Sequence, residues 1–243
     1  MARIRAVFFD LDDTLFDYTK SRHFAFLALK ERFSDISSAS IEDLDNLWTR
    51  YWYQLLPAEV IRDHAVIMHI RKERLRMIFS HYGRELSENE IEDVMRTYSE
   101  SYDSSISQVP GAGDILRKIR ERGISVGVIT NNPPGGQRKK LKQCRIEDYI
   151  DLLVSSGEIG YSKPDPRIFR FSMEKLSATP EESVMIGDSW EYDIVGAINT
   201  GIKPVWFNRF GHKRPEKYTD VAEIRSYIPA ESILEIIVGP GSA

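Results

Sequence analysis

The sequence predicts an α/β protein, a doubly wound parallel sheet with a bundle of helices inserted into it. Three observations lead there. The apolar run Ala6-Val7-Phe8-Phe9 opens the chain and passes straight into Asp10, Asp12 and Asp13, which suits a strand buried on both faces. From about Asp17 to Ser107 strand-like runs give way to helical periodicity. After Pro110-Gly111, strand and helix patterns alternate, as they do when helices cover both faces of a parallel sheet. The expected division is a Rossmann-like core from residues 1–17 and 108–243, with 18–107 as the helical insertion.

In the insertion, Phe24, Leu27 and Ala28 lie opposite Glu31 and Arg32 and predict a first amphipathic helix. Ser40-Ile41-Glu42-Asp43 reads as the start of a second helix, with Trp48, Trp52 and Tyr53 expected in the bundle core. Ile67, Ile70, Arg71, Leu75, Ile78 and Phe79 keep helical spacing up to Gly83, and Ser87-Glu88-Asn89-Glu90 is a capping box opening a fourth helix. In the core, Ile115, Leu116 and Ile119 predict a helix closed by Gly123, and Ser125–Thr130 a strand. Gln137 to Cys144 reads as a polar helix and Leu152-Leu153-Val154 as a strand. Asp165-Pro166 begins another helix, the aspartate at the N-cap and the proline at N1. Ser183–Asp188 is a strand, Ile194, Val195 and Ile198 lie on a helix ending at Gly201, and Pro204–Phe207 is a fifth strand. The tail Gly239–Ala243 is expected to fray.

Composition removes several functional classes. With 243 residues, 42% hydrophobic and 29% charged, the chain has a globular composition and can bury a sizeable core. Its net charge of −4 argues against a nucleic-acid partner, whose binding surface is usually basic. No apolar run approaches the roughly 20 residues that cross a bilayer. Met1-Ala2-Arg3-Ile4-Arg5 leads into the strand bearing the acids and is read as no removable signal. The one cysteine, Cys144, excludes an intramolecular disulfide and fits a reducing, cytoplasmic setting. It is read as structural. There is no P-loop sequence, internal repeat or low-complexity tract, and Gly135-Gly136 is read as a loop near the site.

The chemistry concentrates at the ends of the apolar runs. In extended chain Asp10 and Asp12 lean the same way. Neighbouring carboxylates repel unless they share a proton or a cation, and Mg²⁺, which takes oxygen ligands, would resolve the conflict. Three more segments follow in order: Thr130-Asn131-Asn132 at a strand end, Lys163-Pro164-Asp165-Pro166 before a helix, and Gly187-Asp188-Ser189 with Asp193 shortly after. The set resembles the haloacid dehalogenase-like hydrolase superfamily, whose four motifs occur in this order, and the inserted helices look like that family's cap of the first type.

The resemblance implies a Mg²⁺-dependent phosphatase. It makes Asp10 the nucleophile that forms a phospho-aspartate and Asp12 the acid and base that serves the leaving alcohol and then the attacking water. The cation would be held by Asp10, the Asp12 carbonyl and Asp188. Thr130, Asn131 and Lys163 would hold the phosphate oxygens, and Asp193 and Ser189 would support them from outside. Asp13 is read as the exposed third acid of the run. By the family pattern, dehalogenases lack an aspartate at the Asp12 position, so a dehalogenase stands well behind. A phosphosugar mutase on the same core is the main alternative, and an inactive binding module has nothing in its favour.

The core motifs meet only phosphate, metal and reacting oxygen, so substrate choice is expected from the insertion. Arg22 and His23 are its leading candidates, followed by Arg62, His64 and His69. A polar and aromatic cap without a strongly basic cluster suggests a small phosphorylated metabolite: a sugar phosphate, triose phosphate or nucleotide. A monomer or homodimer with no membrane partner is expected.

Overall fold

The computed structural model describes residues 3–56 and 61–239. The chain divides into two compact units, Met1–Asp17 with Gln108–Ala243, and Tyr18–Ser107. Met1, Ala2 and residues 240–243, where fraying is expected, lie outside the described residues.

The first unit is built on β1 (Ala6–Phe9), β2 (Ser125–Thr130), β3 (Leu152–Ser155), β4 (Ser183–Gly187), β5 (Lys203–Phe207) and β6 (Ala222–Ile224). They form one parallel sheet in the order β3-β2-β1-β4-β5-β6. The chain builds outward from β1 on one side, then returns to build outward on the other. The crevice between β1 and β4 is therefore where strand order reverses, the place where open α/β sheets bind ligands. All four residues of β1 are fully buried. Phe8 joins a cluster with Ile129, Ile168, Phe169 and Met185. Phe9 points to the other face and meets Tyr227 edge-on. Gly127 is the register partner of Phe8, and a Cβ there would lie 2.6 Å from the Phe8 ring. Only glycine leaves that ring its space.

The second unit holds α1 (Tyr18–Arg32), α2 (Ile41–Leu55), α3 (His64–His81) and α4 (Glu88–Ser104). Ser40 caps α2 through the Asp43 N–H, and Ser87 with Glu90 closes the capping box of α4. Two expectations about faces are corrected. The buried stripe of α1 is Ser21, Ala25, Phe26 and Leu29, whereas Phe24 and Leu27 are 46% and 49% exposed. Residues 24–29 are all apolar, so the sequence offers two stripes. The one that holds Phe26 is buried, because Phe26 packs edge-on against Trp48 and Tyr98. In α2, Trp48 is core but Trp52 is half-buried and Tyr53 is 64% exposed. Tyr53 stands about 200° round the helix from buried Tyr51, on the far face.

The remaining helices belong to the first unit: α5 (Ala112–Glu121), α6 (Gly136–Gln143), α7 (Ser156–Ile159), α8 (Pro166–Lys175), α9 (Gly196–Thr200) and α10 (Ala230–Val238). The expected helix through Ile194 and Ile198 is two pieces, a wider turn over Trp190–Val195 running into α9. The sequence pattern does not announce α7, α10 or β6. Among the described residues no helix is long and apolar enough to cross a membrane. Cys144 is buried, and burial pushes its thiol up to about 12, consistent with a packing role.

Candidate active site

Every segment singled out in the core sequence meets beyond the carboxyl ends of β1, β2 and β4. Asp10 continues β1, its N–H bonded to the Ile186 carbonyl on β4. Lys163, in the loop before α8, is 3% exposed and donates to Asp10 Oδ1 at 2.5 Å and Asp193 Oδ1 at 2.7 Å. Asn131 holds that lysine from behind, since its amide donates to the Lys163 carbonyl and its Oδ1 accepts the Lys163 N–H. Both ends of the Asn131 side chain are thereby used.

Asp188 follows Gly187 at the end of β4. Thr14 Oγ1 donates to Asp188 Oδ1 at 3.3 Å and accepts the Asp188 N–H at 3.1 Å, while the Asp188 carbonyl accepts from the Trp206 indole. Asp193 is 1% exposed, and its Oδ2 accepts the Ser189 N–H. The Ser189 hydroxyl itself caps the next turn by accepting the Tyr192 N–H. A Cβ on Gly187 would lie 2.2 Å from Asp193 Oδ2, so the glycine makes room for this buried carboxylate.

Asp12 stands half-buried beside this group. Its Oδ1 accepts from Lys140 Nζ at 2.6 Å and its Oδ2 from the Asn132 amide at 3.0 Å. Asn132 also donates to Thr130 Oγ1, which ties the ends of β1 and β2 together. Lys140 was not among the candidates, one of several cations on a polar helix. Its position still carried a signal: Gln137, Leu141 and Cys144 are the buried stripe there, and Lys140 borders it. Asp13, expected to be exposed, is 8% exposed. It takes a left-handed φ of 61°, which aspartate tolerates better than most residues, and pairs with Arg209 at 3.9 Å. Arg209 also reaches Asp17 at 3.1 Å.

The electrostatics explain what this cluster lacks. Burial pushes Asp10 up to about 7 against the pull of Lys163. Burial also raises Asp188 well above the carboxylate range, and Asp10 and Asp193 add to the rise. For Lys163 burial works downward, but Asp10 and Asp193 outweigh it and hold the ammonium above its ordinary range. Asp10, Asp188 and Asp193 each place an oxygen within 4.8 Å of the others. One ammonium against three crowded carboxylates leaves a surplus of negative charge and a set of oxygen donors. That donor chemistry fits a hard divalent cation such as Mg²⁺.

Of the insertion's candidates, Arg22 and His23 both pair with Asp45, Arg22 at 2.7 Å. Arg62, His64 and His69 are exposed on or near α3. Arg22, Arg71 and Arg74 converge on Tyr18, Trp48, Tyr98 and Tyr102, because Arg71 and Arg74 are one turn apart on α3 and face α1, α2 and α4 together.

Comparison with known proteins follows the same lines. Residues 4–201 match the sequence profile of the haloacid dehalogenase-like hydrolases. Over 240 residues the chain is 29% identical to glyceraldehyde 3-phosphate phosphatase of Pyrococcus furiosus, covering 98% of this chain and 94% of that one. It is 29% identical to the pyrimidine 5'-nucleotidase YjjG of Escherichia coli, covering 94% and 96%. The magnesium-bound HAD-hydrolase YfnB of Bacillus subtilis shares the fold with a TM-score of 0.76 at 20% identity, covering 96% of this chain and 99% of that one.

Proposed function

The chain belongs to the haloacid dehalogenase-like hydrolase family, and on that premise we propose that it is a Mg²⁺-dependent phosphatase of small phosphorylated metabolites, working through a phospho-aspartate on Asp10. The observation that carries the reading is the pairing of two differently held acids. Asp10 is buried against Lys163, whereas Asp12 is half-buried and hydrogen-bonded by Lys140 and Asn132. In this reading one carboxylate attacks and the other moves a proton.

In the proposed first half-reaction an Asp10 oxygen attacks phosphorus, the bond from phosphorus to the ester oxygen breaks, and Asp12 delivers its proton to the departing alkoxide. In the second, Asp12 takes a proton from water as that water attacks phosphorus. The bond from Asp10 to phosphorus breaks and inorganic phosphate leaves. Lys163 offsets charge on Asp10 and on the phosphoryl oxygens as a point charge. Thr130 and Asn131 would meet those oxygens. Lys140 and Asn132 hold the Asp12 carboxylate in one orientation. Asp10, Asp188 and the Asp12 carbonyl would hold the cation, with Asp193 beside them. When bound, it neutralises charge so that an anionic nucleophile meets an anionic phosphate.

Asp12 favours an oxygen leaving group, which needs a proton, over a halide, which does not. Substrate choice we assign to the helical unit of residues 18–107, as the cap, and a triose phosphate, sugar phosphate or nucleotide is the expected class. A screen of purified protein against phosphorylated metabolites with Mg²⁺ tests the reading. Phosphate release from one or a few small esters, lost on chelation, is the expected result. Conversion of a phosphosugar to its isomer without release would favour a mutase, and activity on phosphopeptides alone would remove the metabolite.

A further inference from the structure

Between β1 and α1 the chain folds back on itself at the place where Asp12 stands. The Leu11 carbonyl accepts the N–H groups of Leu15 at 2.9 Å and Phe16 at 2.8 Å, and the Asp13 N–H donates to the Phe16 carbonyl at 2.7 Å. Phe16 forms single backbone bridges with Asp12 and with Gln108, and the Val109 N–H donates to the Leu15 carbonyl at 2.8 Å. These bonds close a tight turn over residues 11–16 and tie it to the returning chain. Asp12 lies inside the turn, so the turn sets where its backbone stands. Lys140 and Asn132 orient the carboxylate only from that starting point. Asp13, the next residue, is held at a φ of 61°, a conformation that costs a non-glycine residue free energy.

Arg209 reaches this turn from the loop after β5. The backbone there is anchored by Asn208, which is 1% exposed, donates to the His212 carbonyl at 2.9 Å and to Glu223 at 3.0 Å, and accepts the His212 N–H at 2.8 Å. The Arg209 guanidinium does not close on one acid. Its Nη2 donates to Asp17 at 3.1 Å, just past the turn, and its Nη1 stands 3.9 Å from Asp13, within the turn. Both acids are buried, Asp17 at 5% and Asp13 at 8% exposure. Nη1 is itself buried and makes no hydrogen bond among the described residues. A buried donor left unspent costs free energy, and the arginine fork is strongest when both bonds go to one carboxylate. Here it spans two acids instead, one on each side of Thr14-Leu15-Phe16. That arrangement gives up the strongest pairing and fixes the turn at two points. Asp13 also lies within electrostatic reach of Asp188. Without the guanidinium, the buried acids of the turn would repel those at the strand ends and push the turn outward.

We infer that Arg209 is a positioning residue for the reaction: by bridging Asp13 and Asp17 it holds the turn that places Asp12. The inference rests on the reading of Asp12 as the acid that serves the leaving alcohol, and its signature follows from that role. Phenolate leaves poorly and needs the proton, whereas dinitrophenolate leaves readily without it. Displacing Asp12 therefore slows bond cleavage in phenyl phosphate and spares 2,4-dinitrophenyl phosphate. A general loss of fold or of phosphate binding slows both alike.

Two measurements on the full chain test this, the first without turnover. Hydrogen exchange read by mass spectrometry should show the peptide of residues 11–17 exchanging at least about ten-fold faster in Arg209→Gln, with the β2 peptide of residues 125–130 unchanged. Rapid-quench single turnovers with Mg²⁺ should show phenol release slowed about ten- to a hundred-fold in Arg209→Gln, and dinitrophenol release slowed less than about three-fold. Arg209→Lys keeps the charge without the fork and should recover part of the phenyl phosphate rate. If Arg209→Gln does not fold, Asp17→Asn removes the hydrogen-bonded end of the bridge and carries the same two expectations. Turn exchange within about two-fold of the wild type, or equal losses on the two esters, overturns the inference. A wild-type protein that cleaves neither ester overturns the phosphatase reading instead, and the exchange measurement then decides by itself whether Arg209 holds the turn.

Discussion

At the scale of single residues the site assigns different work to acids that look alike in the sequence. Asp10, Asp12 and Asp13 sit within four positions, yet one is buried on Lys163, one is held by Lys140 and Asn132, and one turns away to Arg209. Asp10→Asn keeps the shape of the side chain and removes the nucleophile. Turnover should fall by at least about a thousand-fold with the melting temperature preserved, and substantial activity in a variant that has not deamidated would displace Asp10. Lys140→Ala leaves the Asp12 carboxylate with Asn132 alone of the pair that holds it. A proton donor that wanders costs rate more than binding, so kcat should fall about ten- to a hundred-fold with KM nearly unchanged. An unaltered kcat would show that Lys140 does not position Asp12. The motif residues were legible because strand-end acids stand out against apolar runs. Lys140 was not, because its partner lies 128 residues away and nothing local marks it among the lysines of α6.

Elements set these residues in place, and their sequences were readable to the extent that one face was chemically distinct. The capping residues Ser40, Ser87 and Asp165 and the closing Gly123 stand where the pattern put them. The α1 face did not, because six apolar residues in a row left the choice to Trp48 and Tyr98, which come from other helices. The strand β6 has three residues, too few to show a period. The central strand makes a quantitative test. Phe8→Ala removes a fully buried ring from the shared cluster and should destabilise by about 3–5 kcal/mol, read as a lower denaturation midpoint at constant slope. A loss below about 1 kcal/mol would mean that the cluster collapses to fill the hole. At the end of β4, Gly187→Ala drives a methyl group into Asp193. It should cost activity through Lys163, which Asp193 holds at 2.7 Å. Wild-type kcat in a folded Gly187→Ala protein would contradict that linkage.

For the whole molecule the site is a compromise between stability and chemistry. Three crowded carboxylates with one ammonium destabilise the fold, and a cation that binds only the folded state returns that stability by mass action. Melting temperature should therefore rise with Mg²⁺ in the wild type. Asp188→Asn should start higher in magnesium-free buffer, having lost a repelling charge, and respond weakly to the cation. Equal Mg²⁺ responses in the two proteins would take Asp188 out of the cation site. The parallel sheet and the meeting of four distant segments at its strand ends were foreseeable because alternating strands and helices admit few topologies, whereas the strand order was left open by the pattern. The arginine cluster of the helical unit was not, since Arg22 on α1 meets Arg71 and Arg74 on α3, and their rings on α1, α2 and α4, only on folding. The central claim is that Asp10 carries the phosphoryl group, and the most direct measurement is mass spectrometry of protein quenched in acid during turnover with Mg²⁺ and a reactive aryl phosphate. One phosphoryl group on the peptide that contains Asp10, absent in Asp10→Asn and longer-lived in Asp12→Asn, is the predicted result. Phosphate release that proceeds at full rate with no label on that peptide, or with label on another residue, would contradict it.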